Sequence, residues 1–364
     1  MFSPSMEEVL PENLILDVLS RLPVKTIIRF KCVYKKWRHL VSDPYFVRLH
    51  LSRSGEALLI HKPETSNWAG SLEWVEMKHE DDYHLHLVKS NNPCYGLLLF
   101  PGSVNGLICG YRPYSFVYIL NPVLEEYMTL PILPFKNAIY SYGFGVSAAG
   151  EYKVILCNGS VSENKVYAID HILVHTIGTK EWRVLGQTPN PPNLIKKGPG
   201  VFLNSHVYWL GDGQIYGFDL NRETFELFPS PPGDNNAESK EMLGVLKGRL
   251  SRISWCSLGL DIWVMKETSW YKERTIRENI SPILHSQPLC LIDGLKGTSI
   301  LIVHDEATNE LLAYCLNTSA TLHLNYQAKS FKVMTYRPSF VKLHSFQRAC
   351  SVYDKVKKQH YHFY

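Results

Sequence analysis

Residues Leu10 to Leu51 carry more apolar side chains than so short a stretch can bury by itself: 22 of the 42 are apolar. The run reads LPENLILDVLSRLPVKTIIRFKCVYKKWRHLVSDPYFVRLHL. Leu14, Ile15, Val18, Leu19 and Leu22 step by one, three or four, which predicts one helical face that opens at Pro11 and stops before Pro23. Pro23 suits the first turn of a second helix carrying Val24, Ile27 and Ile28, because a first-turn N–H has no intrahelical acceptor. Trp37, Leu40 and Val41 mark a third. Asp43-Pro44 reads as an N-cap and first residue of a fourth, which carries Phe46 and Leu49. Helices this short are marginal in water, and below ~40 residues a lone domain usually needs outside support. Part of this apolar surface is therefore expected to face another protein.

The segment resembles an F-box, the helical module that docks onto a Skp-type adaptor in cullin-RING ubiquitin ligases. The resemblance rests on Leu10-Pro11, Leu14-Ile15, Leu19, Leu22-Pro23-Val24-Lys25, Arg29-Phe30-Lys31-Cys32-Val33, Lys35, Trp37-Arg38, Leu40-Val41 and Ser42-Asp43-Pro44. Tyr34 and Lys36 stand where the plant family more often has Cys and Ser, and neither change removes an apolar anchor. The resemblance implies adaptor contact through Leu10, Pro11, Leu14, Ile15, Leu19, Leu22, Pro23, Ile27, Phe30, Cys32, Val33, Trp37 and Leu40. Eight Lys/Arg against Glu12, Asp17 and Asp43 give the segment a charge of +5, which suits steering toward the acidic adaptor surfaces of this family. One alternative is a helical cap on the following domain with its apolar face turned inward. Another is a helix-turn-helix DNA binder, suggested by the basic stretch Lys31–Arg38; Trp37, Leu40 and Val41 crowd the helix that would have to enter the groove.

The F-box takes about fifty residues of a 364-residue chain and leaves a segment with ample surface to bury. Net charge is +4, of which the part after Leu51 supplies only about +1, so nucleic acid is not the expected partner of the large domain. No apolar run approaches the ~20 residues of a membrane span, and the N-terminus lacks the basic start and apolar core of a signal peptide. Eight cysteines without a CxxC pair read as reduced thiols of a cytoplasmic or nuclear protein. On that reading the sequons at Asn158, Asn279 and Asn317 are chance matches.

Past Leu51 the texture turns from helix to strand and repeats. One unit holds Asn105–Gly110, Phe116–Pro122 and Tyr127–Pro131; another Gly200–Leu210, Gln214–Leu220 and Phe225–Pro229. A third holds Gly244–Leu250, Leu260–Lys266 and Ser269–Tyr271; a fourth Ser299–His304, Leu311–Leu316 and Thr321–Leu324. Each is a set of short β-rich runs parted by Gly, Asn or Pro turns, at spacings of ~45–55 residues that suit propeller blades. Glu56–Met77 and Tyr142–Leu185 bring the number to six. The leftover run Ser330–Leu343 is expected to pair with the first unit, close the ring and hide its edges.

These runs resemble the F-box-associated domain of the large plant F-box family, over nearly all of 55–345. The matching positions are Asn105–Cys109, Asn121-Pro122, Leu130-Pro131, Gly143-Phe144-Gly145, Tyr152-Lys153-Val154, Trp182-Arg183, Trp209, Phe218-Asp219-Leu220, Glu223, Ile262–Lys266 and Ser269-Trp270. Val146-Ser147 replaces the Tyr-Asp common after Gly-Phe-Gly, and Glu151 replaces an Asp. In that family the domain is taken to hold the protein destined for ubiquitination.

Catalytic signals are poor. Gly143-x-Gly145-x-x-Ala148 mimics a dinucleotide fingerprint, but Tyr152–Leu156 reads as a strand where that motif needs a helix. His84-x-His86 and His360-x-His362 have no third ligand at metal spacing. Asp219 and Asp261 sit inside repeat motifs, where turn or cap roles are expected. Trp182, Trp209, Trp263 and Trp270 are expected mostly as core between sheets. The expected fold is α+β by content and mainly β: a three- to four-helix F-box over 1–54, an all-β propeller-like domain of about six blades over 55–345, and a tail over 346–364. The expected function is that of a non-catalytic substrate-recognition subunit of an SCF-type ubiquitin ligase, with no cofactor and no metal. Its partners would be the Skp-type adaptor, through it cullin and RING subunits, and a client protein. The alternatives are a ligase-independent F-box scaffold and, further off, a propeller lectin or glycosidase, which would need two carboxylates in one pocket. Client choice is expected in the loops Lys62–Ser71, Asn190–Gly198 and Ser230–Lys240.

Overall fold

The computed structural model describes residues 11–33, 35–63, 69–77, 85–89, 94–95, 99–112, 116–134, 139–161, 167–186, 198–211, 214–231, 240–256, 259–277, 283, 286–293, 298–305, 307–327, 332–343 and 346. Helices α1 (Glu12–Leu19), α2 (Val24–Val33), α3 (Lys35–Leu40) and α4 (Pro44–Arg53) fall where the prolines and the apolar spacing put them. Ser20 N–H closes α1 on the Leu16 carbonyl, and the Pro23 carbonyl accepts from Thr26 and Ile27 at the start of α2. The Asp43 side chain caps α4, accepting from Tyr45 N–H at 2.7 Å and Phe46 N–H at 3.4 Å, with Pro44 in the first turn.

After Ser54 the described residues are almost all strand and turn, arranged as six sheets. Blade 1 holds Ala57–Pro63, Ala69–Met77 and Leu85–Lys89, with Cys94–Tyr95 paired to its second strand. Blade 2 holds Leu99–Val104, Leu107–Arg112, Phe116–Asn121 and Glu126–Thr129. Blade 3 holds Ile139–Val146, Tyr152–Val161, Tyr167–Thr176 and Arg183–Val184, with Gly198–Pro199 added in parallel to its first strand. Blade 4 holds Val201–Leu203, His206–Leu210, Gln214–Asp219 and Thr224–Pro229. Blade 5 holds Lys240–Leu246, Arg249–Cys256, Gly259–Lys266 and Ser269–Ile276; blade 6 holds Ser286–Asp293, Ser299–Asp305, Glu310–Cys315 and Thr321–Gln327.

Lys332–Tyr336 supplies the missing inner strand of blade 1, antiparallel to Ala57–His61. The inner strands then touch in a closed cycle, each against the next blade's, and Lys332–Tyr336 touches both blade 6 and blade 2. The chain is therefore a six-bladed propeller sealed by its C-terminal strand, as the leftover run implied. The core is cut into slabs, one between each pair of neighbouring blades. The slab between blades 1 and 2 also takes in Leu19, Val24, Ile27, Val41 and Phe46, so the helices share one core with the ring.

Gly143 and Gly145 lie in a strand followed by a hairpin, which removes the dinucleotide reading. Their purpose is close packing: a Cβ at Gly143 would overlap Val207 and Trp209, and one at Gly145 would overlap Leu220 and Phe202. Two sequence expectations need correcting. Lys62–Ser71 is not one long loop, because Lys62 pairs with Ser71 and Pro63 with Gly70, leaving 64–68 between the strand ends and outside the described residues. Of the four tryptophans, Trp182 and Trp209 are buried, whereas Trp263 and Trp270 are half-buried. Trp182 Nε1–H donates to the Pro131 carbonyl at 2.8 Å, and Trp270 Nε1–H to the Pro229 carbonyl at 2.7 Å. Both bonds run from the outer edge of one blade to the proline that ends the outer strand region of the blade before it, so the same clasp recurs twice. The remaining candidates fall mostly outside the described residues: 187–197, 232–239, His84, the His86 side chain, and His360 with His362.

Candidate partner-binding site

Docking of the helices against blades 1 and 2 decides which apolar side chains stay open. On α1, Pro11, Leu14 and Val18 form one stripe at three- and four-residue steps, with Leu14 49% and Val18 58% exposed. The other side of the helix carries Leu19 into the core, with Ile15 and Leu16 packed at its margin. Of the expected contact residues, Pro11 and Leu14 are open, and Ile15, Leu22, Pro23, Phe30, Trp37 and Leu40 are half-buried. Leu19 and Ile27 lie in the core rather than on a face open to a partner. Helical spacing groups apolar residues but does not say which edge of the group turns inward, and that is settled by Trp74, Leu120 and Phe340 across the contact. Leu10 and the Cys32 and Val33 side chains lie outside the described residues. Val18 is the residue the expected set omitted, although its place one turn after Leu14 was visible in the spacing.

Lys25 and Arg29 on α2 and Lys35 and Arg38 on α3 are all open to solvent. Asp17 is held between Arg21 at 3.1 Å and Arg53 at 2.7 Å. The Arg21 hydrogen bond, with that of Arg53, keeps its carboxyl below the usual range. Arg53 also donates to the Asp17 carbonyl, tying α4 to α1. Phe30 and Trp37 stack α2 on α3 with ring centroids 5.2 Å apart.

The mounting of the helices was not visible in the sequence. Phe46 and His50 on α4 pack on Phe340, at centroid distances of 6.2 and 5.1 Å, and Ser54 Oγ donates to the Pro338 carbonyl. Burial pushes the His50 imidazole below its ordinary value. Residues 338–343 continue as a strap across blade 2. Ser339 Oγ donates to the Asn105 carbonyl, Asn121 Nδ2 donates to the Ser339 and Val341 carbonyls, and Leu343 N–H donates to Glu126. Beyond it, Phe346 meets Tyr152 edge-on. Asn105 and Gly106 turn with φ of +53° and +79°, and a Cβ on Gly106 would overlap Ser339. In two short motifs, Gly106 and Asn121 are thus the residues the strap requires.

Lys153, Arg183 and Glu223, three more motif positions, converge between blades 3 and 4. Buried Lys153 donates to Glu223 and to the Leu220 carbonyl, each at 2.9 Å, and Arg183 grips Glu223 through two nitrogens at 2.9 and 2.7 Å. The Arg183 hydrogen bonds hold the Glu223 carboxyl below its usual range. Asp219 accepts from the Asn221 and Arg222 N–H groups, the turn role expected of it, whereas Asp261 pairs across strands with Lys272 and Thr275. At the opposite end of the ring from the helices, the strand ends that flank 64–68, 187–197 and 232–239 all emerge on one side, because each blade enters there and turns back at the helical end. No helix among the described residues is long and apolar enough to cross a membrane.

Comparison with known proteins agrees with this architecture. Residues 8–49 match the F-box domain family and residues 47–360 the F-box associated beta propeller domain family. An Arabidopsis thaliana F-box/kelch-repeat protein is 27% identical over 330 residues, covering 81% of this chain and 85% of its own. An F-box protein of the same plant is 28% identical over 314 residues, covering 74% and 73%. Among solved structures, an oligogalacturonate lyase from Vibrio parahaemolyticus aligns with 73% of this chain and 79% of its own at 7% identity and a TM-score of 0.43, a likeness that bears on nothing beyond the comparison itself. With an F-box mounted through α4 and the 338–343 strap on a sealed six-bladed ring, this chain belongs to the F-box proteins that carry an F-box associated β-propeller domain.

Proposed function

We propose that the chain is the substrate-recognition subunit of an SCF-type cullin-RING ubiquitin ligase, with residues 1–54 binding a Skp-type adaptor and residues 55–345 holding a client. The observation that carries this reading is the open stripe Pro11, Leu14 and Val18 on a helix whose other apolar residues are already committed to the core. Exposed apolar side chains on α1, in a segment that carries exposed cations and a charge of +5, suit an apolar seat on an acidic partner. The client would sit at the far end of the ring, where the three candidate loops depart. The protein then acts by effective concentration, fixing client lysines near a charged conjugating enzyme through a rigid spacer, and performs no bond chemistry of its own.

Leu14→Asp with Val18→Asp tests the first half. Both side chains are half or more exposed, so the double variant keeps its fold while adaptor capture in a pull-down is lost, and cullin with it. Undiminished adaptor capture would overturn the assignment. Adaptor without cullin in the parent complex would mark the chain as a ligase-independent scaffold instead.

A further inference from the structure

Blade 4 brings His206, Asp219 and Glu226 together on one face. His206 pairs directly with Asp219 across the second and third strands, and Glu226 stands two residues beyond Thr224, the partner of Asp219 on the fourth. One nitrogen or oxygen from each lies within 4.8 Å of the others. No pair of these residues is close in sequence, so only the strand register unites them.

We propose that these three side chains form a divalent metal site of the zinc class. His206 Nδ1 lies 3.0 Å from the Asn204 carbonyl, which fixes Nδ1 as the protonated nitrogen and leaves the Nε2 lone pair for a ligand. Nε2 faces Glu226 Oε2 at 3.8 Å. Asp219 is organised in the same way. Its Oδ1 accepts from Asn221 N–H, Asn221 Nδ2 and Arg222 N–H, and these bonds lock the carboxylate plane. Its Oδ2 accepts no hydrogen bond among the described residues although the side chain is only 8% exposed; the nearest cation is Arg222 Nε at 3.9 Å. A nitrogen and two carboxylate oxygens form a mixed donor set that suits Zn²⁺, with a further position open to water. Tetrahedral ligands ~2.0–2.2 Å from the metal stand ~3.3 Å apart, so the three groups need to close by about an ångström. Glu226, 39% exposed on the last strand of the blade, has the freedom to do so. Arg222 lies 3.9 Å from both Asp219 and Glu226, but it is 76% exposed and pairs this long hold it weakly.

The full chain, freed of metal by chelator, is titrated calorimetrically with ZnCl₂, and the site is read again with Co²⁺ by visible absorption. One Zn²⁺ is expected to bind and to raise the melting temperature. Its affinity falls about tenfold or more in His206→Gln and in Glu226→Gln, and the Co²⁺ bands fall with it. Arg222→Ala tightens binding by removing the competing cation, whereas a plain ion-pair cluster would only loosen. His323→Gln is the control: His323 meets Glu310 at 2.7 Å in a pair that joins no three-ligand cluster among the described residues, and its loss leaves the affinity unchanged. Asp219 is left intact because its Oδ1 shapes the turn, and circular dichroism confirms that each variant folds. Absence of saturable binding, or unchanged affinity in both His206→Gln and Glu226→Gln, would overturn the site.

Discussion

At the residue scale, the first two helices of the F-box hold buried and exposed apolar side chains side by side, and on the proposed function the buried ones serve stability and the exposed ones recognition. Ile27 is fully buried, so Ile27→Ala opens a cavity and is expected to cost about 2–5 kcal/mol, seen as a lower denaturation midpoint of the whole chain because the slab is shared with blades 1 and 2. Leu14→Ala removes an exposed side chain and is expected to shift stability by no more than about 0.5 kcal/mol while weakening adaptor capture. Equal effects of the two changes on adaptor affinity would show that exposure does not mark the docking face. Gly106→Ala is expected to weaken the strap, because φ of +79° strains any other residue and Ser339 fills the space. Glycines and caps of this kind were partly legible. Asp43-Pro44 announced its helix outright, whereas Asn105-Gly106 read only as the start of a β-rich run, and the reason its turn admits no side chain lies some 230 residues away at Ser339.

At the scale of elements, six blades could be counted from the sequence because each repeats the same short strands and turns, and because Ser330–Leu343 had no other unit to join. The joints between blades could not be read that way. Trp182 and Trp270 each hang on a proline carbonyl of the blade before, and the Leu130-Pro131 and Phe228-Pro229 pairs looked like strand ends rather than acceptors. Trp182→Phe keeps the ring packing but leaves the Pro131 carbonyl without its donor, so a loss of about 1–3 kcal/mol is expected in thermal or urea unfolding. Trp270→Phe, in a half-buried setting, is expected to cost less. The reverse order would mean that the buried clasp is bonded mainly through its ring and not through its N–H. Lys62–Ser71 misled for a related reason: polar, loop-like composition continues into paired strand, where Lys62 and Pro63 pair with Ser71 and Gly70 and Gly70 pairs in turn with Cys94, so backbone pairing rather than apolar alternation marks this end of the blade.

At the scale of the whole molecule, acid should loosen several slabs at once. Burial pushes the His61 and His175 imidazoles down to about 4 from 6.5, and lowers His50 as well. The unfolded chain therefore takes up protons below pH 6.5 that the folded chain refuses, and stability falls as pH falls from about 6.5 toward 4. His61 and His175 each remove about 1.4 kcal/mol per pH unit across that window, and His50 acts in the same direction. Glu223, held below its ordinary 4.5 by Arg183, adds its own loss only once the pH falls below about 4.5. Urea midpoints at pH 7.5, 6.5 and 5.5 should drop with increasing slope, and His175→Gln should flatten the curve; a level profile would show that these imidazoles are reached by water. The seal of the ring has a consequence of another kind, in the order of synthesis. The F-box leaves the ribosome first, yet the strand that completes blade 1 and the phenylalanine on which α4 rests come from residues 332–340. A product stopped in the middle blades would carry a recognisable F-box on an unclosed sheet, loosely seated and with no finished grip on a client. Firm presentation of the adaptor face is thereby a certificate that translation ran to the last blade, and early-stop alleles are expected to yield short-lived protein rather than a free competitor for the adaptor.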